Sequence, residues 1–421
     1  MGRMAANPEL VAARRGVAAL FVLNAATFAN VVPRLPAIKL DLGLSNTALG
    51  TAIAAMPVGA LLSGAAAGWL VHRFGSRRVV VACGVAGGVL LPGFALAPSW
   101  AALAAVFLGA GAIDSVMDVS MNGHALRVQR GLGRSIINGL HGMWSVGAVL
   151  GGLLGTTAAA AGVGLGIHLA VAGGAVVVTA LLTRSRLLDG HDEADRRTAL
   201  PEKHPHAAPA RRSGRTGHRL ALLGLLVVLA AVVEDAPQSW GAVLLRTELG
   251  TSAAVAGLAY LGFQACMTVS RLVGDRLVDR FGEVAVARAG GLLTAGAISV
   301  GLLVGRPVTV SLAFAVAGLG MASVFPLAFH AAGNLPGVST GHGVAVVAWV
   351  ARIGFLLAPP LVGTVGDAVN LRLGLAVVPA AGALIALLAG TVRSEPEPGR
   401  PEAPVLASPV LPSAAPVVDE E

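Results

Sequence analysis

Long apolar stretches alternate along this chain with short segments that carry charges, glycine or proline. About 20 consecutive apolar residues in a helix are enough to cross the roughly 30 Å hydrocarbon core of a bilayer. The sequence contains twelve such stretches, and each is predicted to be a membrane-spanning helix. They are residues 16–38, 47–70, 79–98, 101–126, 137–160, 163–183, 220–245, 252–274, 285–305, 308–331, 342–366 and 371–392.

The composition supports an all-α membrane protein. Hydrophobic residues make up 55% of the chain and charged residues 12%, against about 25% charged residues in soluble domains. The chain has 56 glycines, which allow close approach of membrane helices. The net charge of +8 comes mainly from arginines in short loops, without a basic domain rich in aromatic residues. Nucleic acid is therefore not an expected partner, whereas the lipid bilayer is.

The basic residues also predict an orientation. Of the 30 lysines and arginines, we place 24 in segments on the same side of the membrane as the N-terminus and 5 on the other side. Loops rich in lysine and arginine stay in the cytoplasm. Both termini are therefore expected in the cytoplasm. The residue usage is typical of a bacterial source, which predicts a multi-pass protein of the bacterial plasma (inner) membrane.

Polar segments divide the chain into five parts. A cytoplasmic tail, residues 1–15, precedes a first six-helix bundle, residues 16–185. A polar cytoplasmic linker, residues 186–218, leads to a second six-helix bundle, residues 219–393. Residues 394–421 are rich in proline, glutamate and alanine and are expected to form a disordered cytoplasmic tail.

The two predicted bundles carry a repeated motif. LVHRFG at residues 70–75 and LVDRFG at residues 277–282 agree at five of six positions. Each lies between the second and third span of its half. Duplicated halves with a site between them near the middle of the membrane are typical of secondary transporters.

These motifs resemble the major facilitator superfamily over nearly all of residues 16–392. The segment GWLVHRFGSRR, residues 68–78, is similar to that family's signature loop between its second and third spans. DVSMNGH, LHGMWSVG, EDAPQSW and FLLAPPLVG are similar to a bacterial branch distantly related to fucose permeases. The resemblance implies twelve transmembrane helices in two pseudo-symmetric six-helix bundles that rock around a central site.

The resemblance also implies that the two loops control opening of one side of the site. His72 stands where the family has an aspartate, so the family's ion pair cannot form in the same way in the first loop. The arginines have a second interpretation as anchors at the cytoplasmic edge of the membrane. The candidate gating residues are Gly68, His72, Arg73, Gly75, Arg77 and Arg78 in the first loop and Asp279, Arg280 and Gly282 in the second.

The fourth span contains carboxylates that are expensive in an apolar setting. Asp114 and Asp118 lie four residues apart, hence about 6 Å apart on one helical face, and Asn122 extends that face by a turn. Each isolated charge costs about 2.5–3.5 kcal/mol near the middle of a spanning helix. Two adjacent carboxylates do not both ionise readily there, which predicts a proton site. Alternatively, Asp118 and Asn122 pair structurally with Arg127 or His141.

Further polar groups in the spans complete the predicted pathway. Pro237 is expected to break the seventh helix. We place a single basic residue, Arg352, within a span, and its partner is either Glu234 or an anionic substrate. For Asp235 the alternative interpretation is that it faces the water outside the membrane. For Trp144 and Trp349 the alternative is that they pack against other side chains without contacting a substrate. The other candidates are Glu234, Asp235, Gln238 and Trp240 in the seventh span, Asn24 and Asn30 in the first, and Trp144 and Trp349 in the fifth and eleventh.

Together these features predict a monomeric secondary transporter that takes up a small organic solute with protons. The sequence lacks a Walker motif, which favours an ion gradient over ATP as the energy source. The fifth span reads GMWSVGAVLGG, without the Gly-Pro pair usual in drug–proton antiporters of the resembled family. Efflux of drugs or metabolites remains the alternative. An enzyme or a receptor is less favoured, because we identify no nucleophile–base pair, metal cluster, cofactor motif or signalling domain.

Overall fold

The computed structural model describes residues 7–190 and 214–393. The predicted tail 394–421 and most of the predicted linker 186–218 lie outside these residues. The described part contains twelve helices long and apolar enough to cross a membrane. They are α1 (Pro8–Asp41), α2 (Asn46–Phe74), α3 (Ser76–Leu96), α4 (Trp100–Leu132), α5 (Ile137–Ala160), α6 (Leu165–Arg186), α7 (Thr216–Gly241), α8 (Ala253–Phe281), α9 (Glu283–Val304), α10 (Pro307–Gly333), α11 (Gly341–Ala368) and α12 (Leu371–Val392).

The twelve predicted spans are confirmed, and the main differences lie at helix ends. α1 begins at Pro8 rather than residue 16, because Asn7 caps it by accepting the Glu9 N–H at 3.0 Å and proline suits a first turn. The predicted tail 1–15 therefore includes two helical turns. α4 continues to Leu132 and ends where Gly133 adopts a left-handed conformation with φ 63°.

Local irregularities interrupt several of the helices, including α1 and α7. A 3₁₀ turn, Val32–Arg34, lies within α1. In α7, the expected break at Pro237 is replaced by a widened π-helical turn, Pro237–Gly241, and a second π turn follows at Leu244–Glu248. A π turn absorbs the missing N–H of proline without ending the helix, and such turns are frequent at functional sites.

The helices form two bundles, α1–α6 and α7–α12, which meet mainly where α2 packs against α11 and α5 against α8. Because the chain crosses the membrane an even number of times, residues 8 and 392 lie on the same side of the membrane. We call this side the terminal face and the other side the opposite face. Glycine permits very close packing within a bundle. A methyl group at Gly111 of α4 would overlap the Met56 carbonyl of α2, and one at Gly59 would overlap the Leu108 carbonyl.

The repeated sequence motif is also repeated in backbone geometry. Gly75, between α2 and α3, has φ 83° and ψ 145°, and Gly282, between α8 and α9, has φ 82° and ψ 155°. Few residues other than glycine adopt this conformation. Arg73 and Arg280 each lie 5.4 Å from the ring centre of the phenylalanine that follows them. The two halves thus share the conformation of this loop.

Candidate functional site

A cavity of about 440 Å³ lies between the two bundles, which is within the size range of small-molecule sites. Its wall combines aromatic rings with a few polar groups contributed by both halves of the chain. The charged lining residues are Asp114 from α4, Glu234 and Asp235 from α7, and Arg352 from α11. This arrangement places candidate residues from distant parts of the sequence around one space.

The gap between α2 and α11 widens along the membrane normal. Near the opposite face, a methyl group at Gly50 would overlap the Pro359 carbonyl. Midway, one at Gly64 would lie 3.5 Å from Nη1 of Arg352. At Gly68, nearer the terminal face, a methyl group would meet no atom within 4 Å. The two helices therefore diverge toward the terminal face.

α5 and α8 diverge in the same direction. A methyl group at Gly152 of α5 would lie 2.5 Å from the Tyr260 ring of α8, and one at Gly257 of α8 would overlap Thr156. Toward the terminal face, Nη1 of Arg271 reaches Oγ of Ser145 at 3.4 Å, so a long side chain replaces the close packing at glycine. Within residues 7–190 and 214–393, the cavity is closed at the opposite face and open toward the terminal face.

A carboxylate joins the two bundles at the closed end. Asp367, near the end of α11, accepts the backbone N–H of Asn46 at 2.8 Å and that of Thr47 at 2.7 Å. These groups form the N-terminus of α2, where unpaired N–H donors and the helix dipole favour an anion. Asp367 falls one residue beyond the predicted eleventh span, so the cost of a carboxylate within a span did not single it out from the sequence.

Asp114 is held in the wall of the cavity by a chain of hydrogen bonds. Nδ2 of Asn24 donates to Oδ1 of Asp114 at 2.8 Å, and Nε1 of Trp144 donates to Oδ1 of Asn24 at 2.9 Å. Asp114 lies deep in the protein yet has an exposed side chain, because its surface faces the cavity. The structure thus brings together three of the predicted pathway residues.

Asp118 lies one turn closer to the terminal face and is also exposed. Nδ2 of Asn122 donates to its carboxylate at 2.9 Å. Of the two alternative partners, Arg127 donates to the carbonyls of Asp189 and Gly190, and His141 packs edge-on against a phenylalanine ring. The hydrogen bond described for Asp118 thus comes from its own helix.

Asp114 also borders a second, smaller cavity of about 40 Å³ inside the first bundle. Asn24, Thr27 and Cys83 line it with apolar side chains of α1, α3 and α4. A water molecule needs about 10–15 Å³ by this measure and at least two polar partners. The chamber can therefore accommodate water next to Asp114 on the side away from the central cavity.

Of the two alternative partners of Arg352, Glu234 is not in contact with it, because Glu234 lies beside another arginine. Nη2 of Arg271 lies 3.9 Å from Oε1 of Glu234, and Nη1 of Arg271 donates to Oγ of Ser145 at 3.4 Å. The interpretation of Arg352 as the sole basic residue within a span is wrong, because Arg271 also lies within one. Arg271 falls within the predicted span 252–274 but was counted with the basic loop that follows it; it lies about two-thirds along α8 and joins α7 to α5.

The remaining α7 candidates occupy different environments. Asp235 is buried and accepts from Oγ of Ser239 at 2.8 Å, so the alternative that it faces outer water is wrong. Gln238 lines the cavity. Trp240 is completely buried and is not part of the cavity lining.

Two other candidates lie away from the cavity. Oδ1 of Asn30 is 3.2 Å from Nε2 of His168, and its Nδ2 donates to the Ala26 carbonyl at 2.7 Å, so Asn30 packs inside the first bundle. Trp349 is 60% exposed and does not line the cavity, whereas Trp144 does. The side of a helix on which a tryptophan lies could not be determined from span position alone.

The signature loop fixes the segment that follows α6. The guanidinium of Arg77 forms an ion pair with Asp189, and its Nε donates to the Arg184 carbonyl at 3.0 Å. Leu187 is buried against the first bundle. Arg77 therefore has a defined protein partner on the terminal face, beyond the membrane anchoring considered from the sequence.

Comparisons with known proteins agree with this fold. The y4wD protein of Sinorhizobium fredii (strain NBRC 101917 / NGR234), described as an uncharacterized transporter, is 32% identical over 380 residues, 90% of this chain and 98% of that protein. Membrane protein MosC of Rhizobium meliloti is 29% identical over 397 residues, 92% of this chain and 91% of MosC.

Solved transporters share the architecture at low identity. The nucleoside transporter NupG superposes with a TM-score of 0.72 at 12% identity, covering 90% of this chain and 98% of NupG. A D-xylose-proton symporter gives a TM-score of 0.68 at 15% identity, covering 90% and 96%. The sequence profile of the Major Facilitator Superfamily matches residues 17–236 and 223–416. The chain is a multi-pass membrane transporter that belongs to the Major Facilitator Superfamily.

Proposed function

We propose that this protein takes up a small organic solute together with protons across the bacterial plasma membrane, by alternating access and as a monomer. The observation that carries the proposal is Asp114, a carboxylate that faces the central cavity, accepts a hydrogen bond from Asn24 and borders an inner chamber. A carboxylate reached from a cavity in a membrane protein is suited to bind and release a proton.

The widening gap supports the alternating-access part of the proposal. The bundles touch at the opposite face and separate toward the terminal face. Rocking of one bundle against the other would close the terminal face around a bound solute and open the opposite face. Gly68, which has no neighbour in this conformation, then lies where α2 would approach α11.

We further propose that the terminal face is cytoplasmic, since it carries most of the basic residues.

The orientation is tested by labelling single cysteines in a protein in which Cys83 and Cys266 are first replaced by alanine. Ser99→Cys, between α3 and α4, is then expected to react with a membrane-impermeant maleimide added to intact cells. Arg134→Cys, between α4 and α5, should react only in inside-out vesicles. Both positions are exposed, so accessibility of the side chain does not differ between them. The reverse pattern would invert the orientation.

The role of the carboxylates is tested by Asp114→Asn and Asp118→Asn in proteoliposomes. Each is expected to reduce solute-dependent proton influx at least tenfold, because the amide side chain of asparagine does not bind a proton near neutral pH. Solutes are first identified by screening metabolites for proton influx with the unaltered protein.

Asp41→Asn is the matched control, since Asp41 is an exposed carboxylate at the end of α1 and outside the cavity. It should leave proton influx unchanged. Unimpaired coupled flux in the double variant Asp114→Asn/Asp118→Asn would refute the assignment. Proton movement opposite to that of the solute would favour the alternative, proton-coupled efflux.

A further inference from the structure

Besides the α7 carboxylates Glu234 and Asp235, the cavity lies between carboxylates of the first bundle and an arginine of the second bundle that do not touch. Asp114 and Asp118 belong to α4 of the first bundle, and Arg352 belongs to α11 of the second. Arg352 and Asp114 line the same cavity, and a methyl group on Gly64 would lie 3.5 Å from both Nη1 of Arg352 and Oγ of Ser115, the residue that follows Asp114. Among the described residues, however, none of the guanidinium nitrogens of Arg352 lies within 4.0 Å of a carboxylate oxygen, and Nη1 donates to the Ala60 carbonyl at 3.3 Å.

The other arginine near the cavity behaves differently. Arg271 is already within 3.9 Å of Glu234 and donates to Ser145. A charge in the interior of a membrane protein is stabilised when it has a partner of opposite sign. Of these two arginines, Arg352 is therefore the one with its charge available to a ligand.

The carboxylate wall is fixed in advance. Asn24 holds Asp114, Trp144 holds Asn24, and Asn122 holds Asp118. Because these partners come from the first bundle itself, the carboxylates keep their positions independently of α11. A ligand that bridges the gap would thus find both charges in place without first rearranging the wall, which reduces the cost of binding.

An aromatic surface adjoins Arg352. Phe355 lies three residues further along α11 and hence on the same helical side. Its ring is stacked on that of Phe325 of α10, with centroids 6.4 Å apart and an interplanar angle of 4°. Phe329 continues this surface along the cavity. An apolar group of a ligand held by Arg352 would pack against these three rings.

We propose that the cavity binds a small zwitterion, with its ammonium group at Asp114, its carboxylate at Arg352 and an apolar substituent against Phe325, Phe329 and Phe355. A cation alone would leave Arg352 without a counter-charge, and an anion alone would leave Asp114 without one. A zwitterion satisfies both and joins the two bundles, so it favours closure of the gap. Asp114 and Asp118, one turn apart, would together hold the ammonium group and one proton.

This inference rests on the proposed function, since it names the substrate class of the same site. It is tested by equilibrium binding to the purified full-length protein, measured by calorimetry. The zwitterionic probes are L-phenylalanine and L-β-homophenylalanine, which differ in the spacing of their charges. Phenethylamine and 3-phenylpropionate keep the aromatic group but have one charge each.

At least one zwitterion is expected to bind ten times or more tightly than either singly charged probe. Asp114→Asn should reduce its affinity at least tenfold and leave that of 3-phenylpropionate within about twofold. Arg352→Gln should reduce its affinity similarly and leave that of phenethylamine unchanged. Asp41→Asn and Arg246→Gln make the same changes in charge at exposed positions outside the cavity and should have no effect.

Zwitterions that bind no more tightly than the better singly charged probe, including the case in which no probe binds, would overturn the proposal. So would a selective zwitterion whose affinity survives both cavity substitutions. The outcome is separable from that of the proposed function. Selective binding without proton-coupled flux would reject the coupling alone, whereas proton-coupled flux of a different solute without zwitterion selectivity would reject the substrate class alone.

Discussion

Gly50→Val is expected to reduce transport at least tenfold by preventing closure of the opposite face. Even a methyl group at this position would overlap the backbone carbonyl of Pro359, and the next nearest atoms are also backbone. A side chain could swing away, but two packed helices relieve such an overlap only by moving apart. The substitution therefore disfavours the conformation described above and favours one that is open at the opposite face.

The shift is measured by labelling a single cysteine in the cavity. After replacement of Cys83 and Cys266, Ala25→Cys lines the cavity and should react with an impermeant maleimide from the terminal face only. When Gly50→Val is combined with Ala25→Cys, labelling of this cysteine by maleimide applied at the opposite face should increase at least fivefold.

Gly174→Val is the matched control for this experiment. Gly174 is also helical, but a methyl group there meets no atom of the described residues within 4 Å, so the substitution creates no overlap, and valine has a somewhat higher helix propensity than glycine. Transport and labelling should remain near those of the parent. Normal transport by Gly50→Val would contradict the view that this contact closes the opposite face.

Arg271→Gln is expected to be much more harmful alone than together with Glu234→Gln. The single substitution leaves Glu234, whose side chain is 14% exposed, without its cationic partner. Breaking a buried pair costs about 3–5 kcal/mol, and the partial exposure of Arg271 reduces our expectation to about 1–3 kcal/mol. The second substitution removes the stranded carboxylate and should recover most of the lost stability.

The measurements are folded yield in detergent and the midpoint of thermal unfolding, arranged as a double-mutant cycle. Arg352→Gln combined with Glu234→Gln provides the comparison, because Arg352 also borders the cavity but is not paired with Glu234. That combination should be no more stable than the additive effect of its two changes. Coupling between Glu234 and Arg352, with none between Glu234 and Arg271, would contradict the pairing in the structure.

The architecture was largely determined by local features of the sequence. Span length and mean hydropathy are properties of consecutive residues, so the twelve helices could be recognised without knowing their neighbours. The repeated motif could also be recognised from the sequence, and its glycine adopts in both loops a conformation that few other residues adopt. The cost of a carboxylate in an apolar helix likewise singled out Asp114, which the structure places on the cavity wall.

The pairing and orientation of individual side chains were decided by the tertiary structure. Arg271 was counted as a loop residue because it lies near other basic residues in sequence, yet α8 carries it to Glu234. Asp367 binds the N-terminus of α2 across about 320 residues of chain. Trp144 faces the cavity and Trp349 does not. In a membrane, lipid-facing and buried helix surfaces are both apolar, so hydrophobic pattern alone cannot identify the side that faces the site.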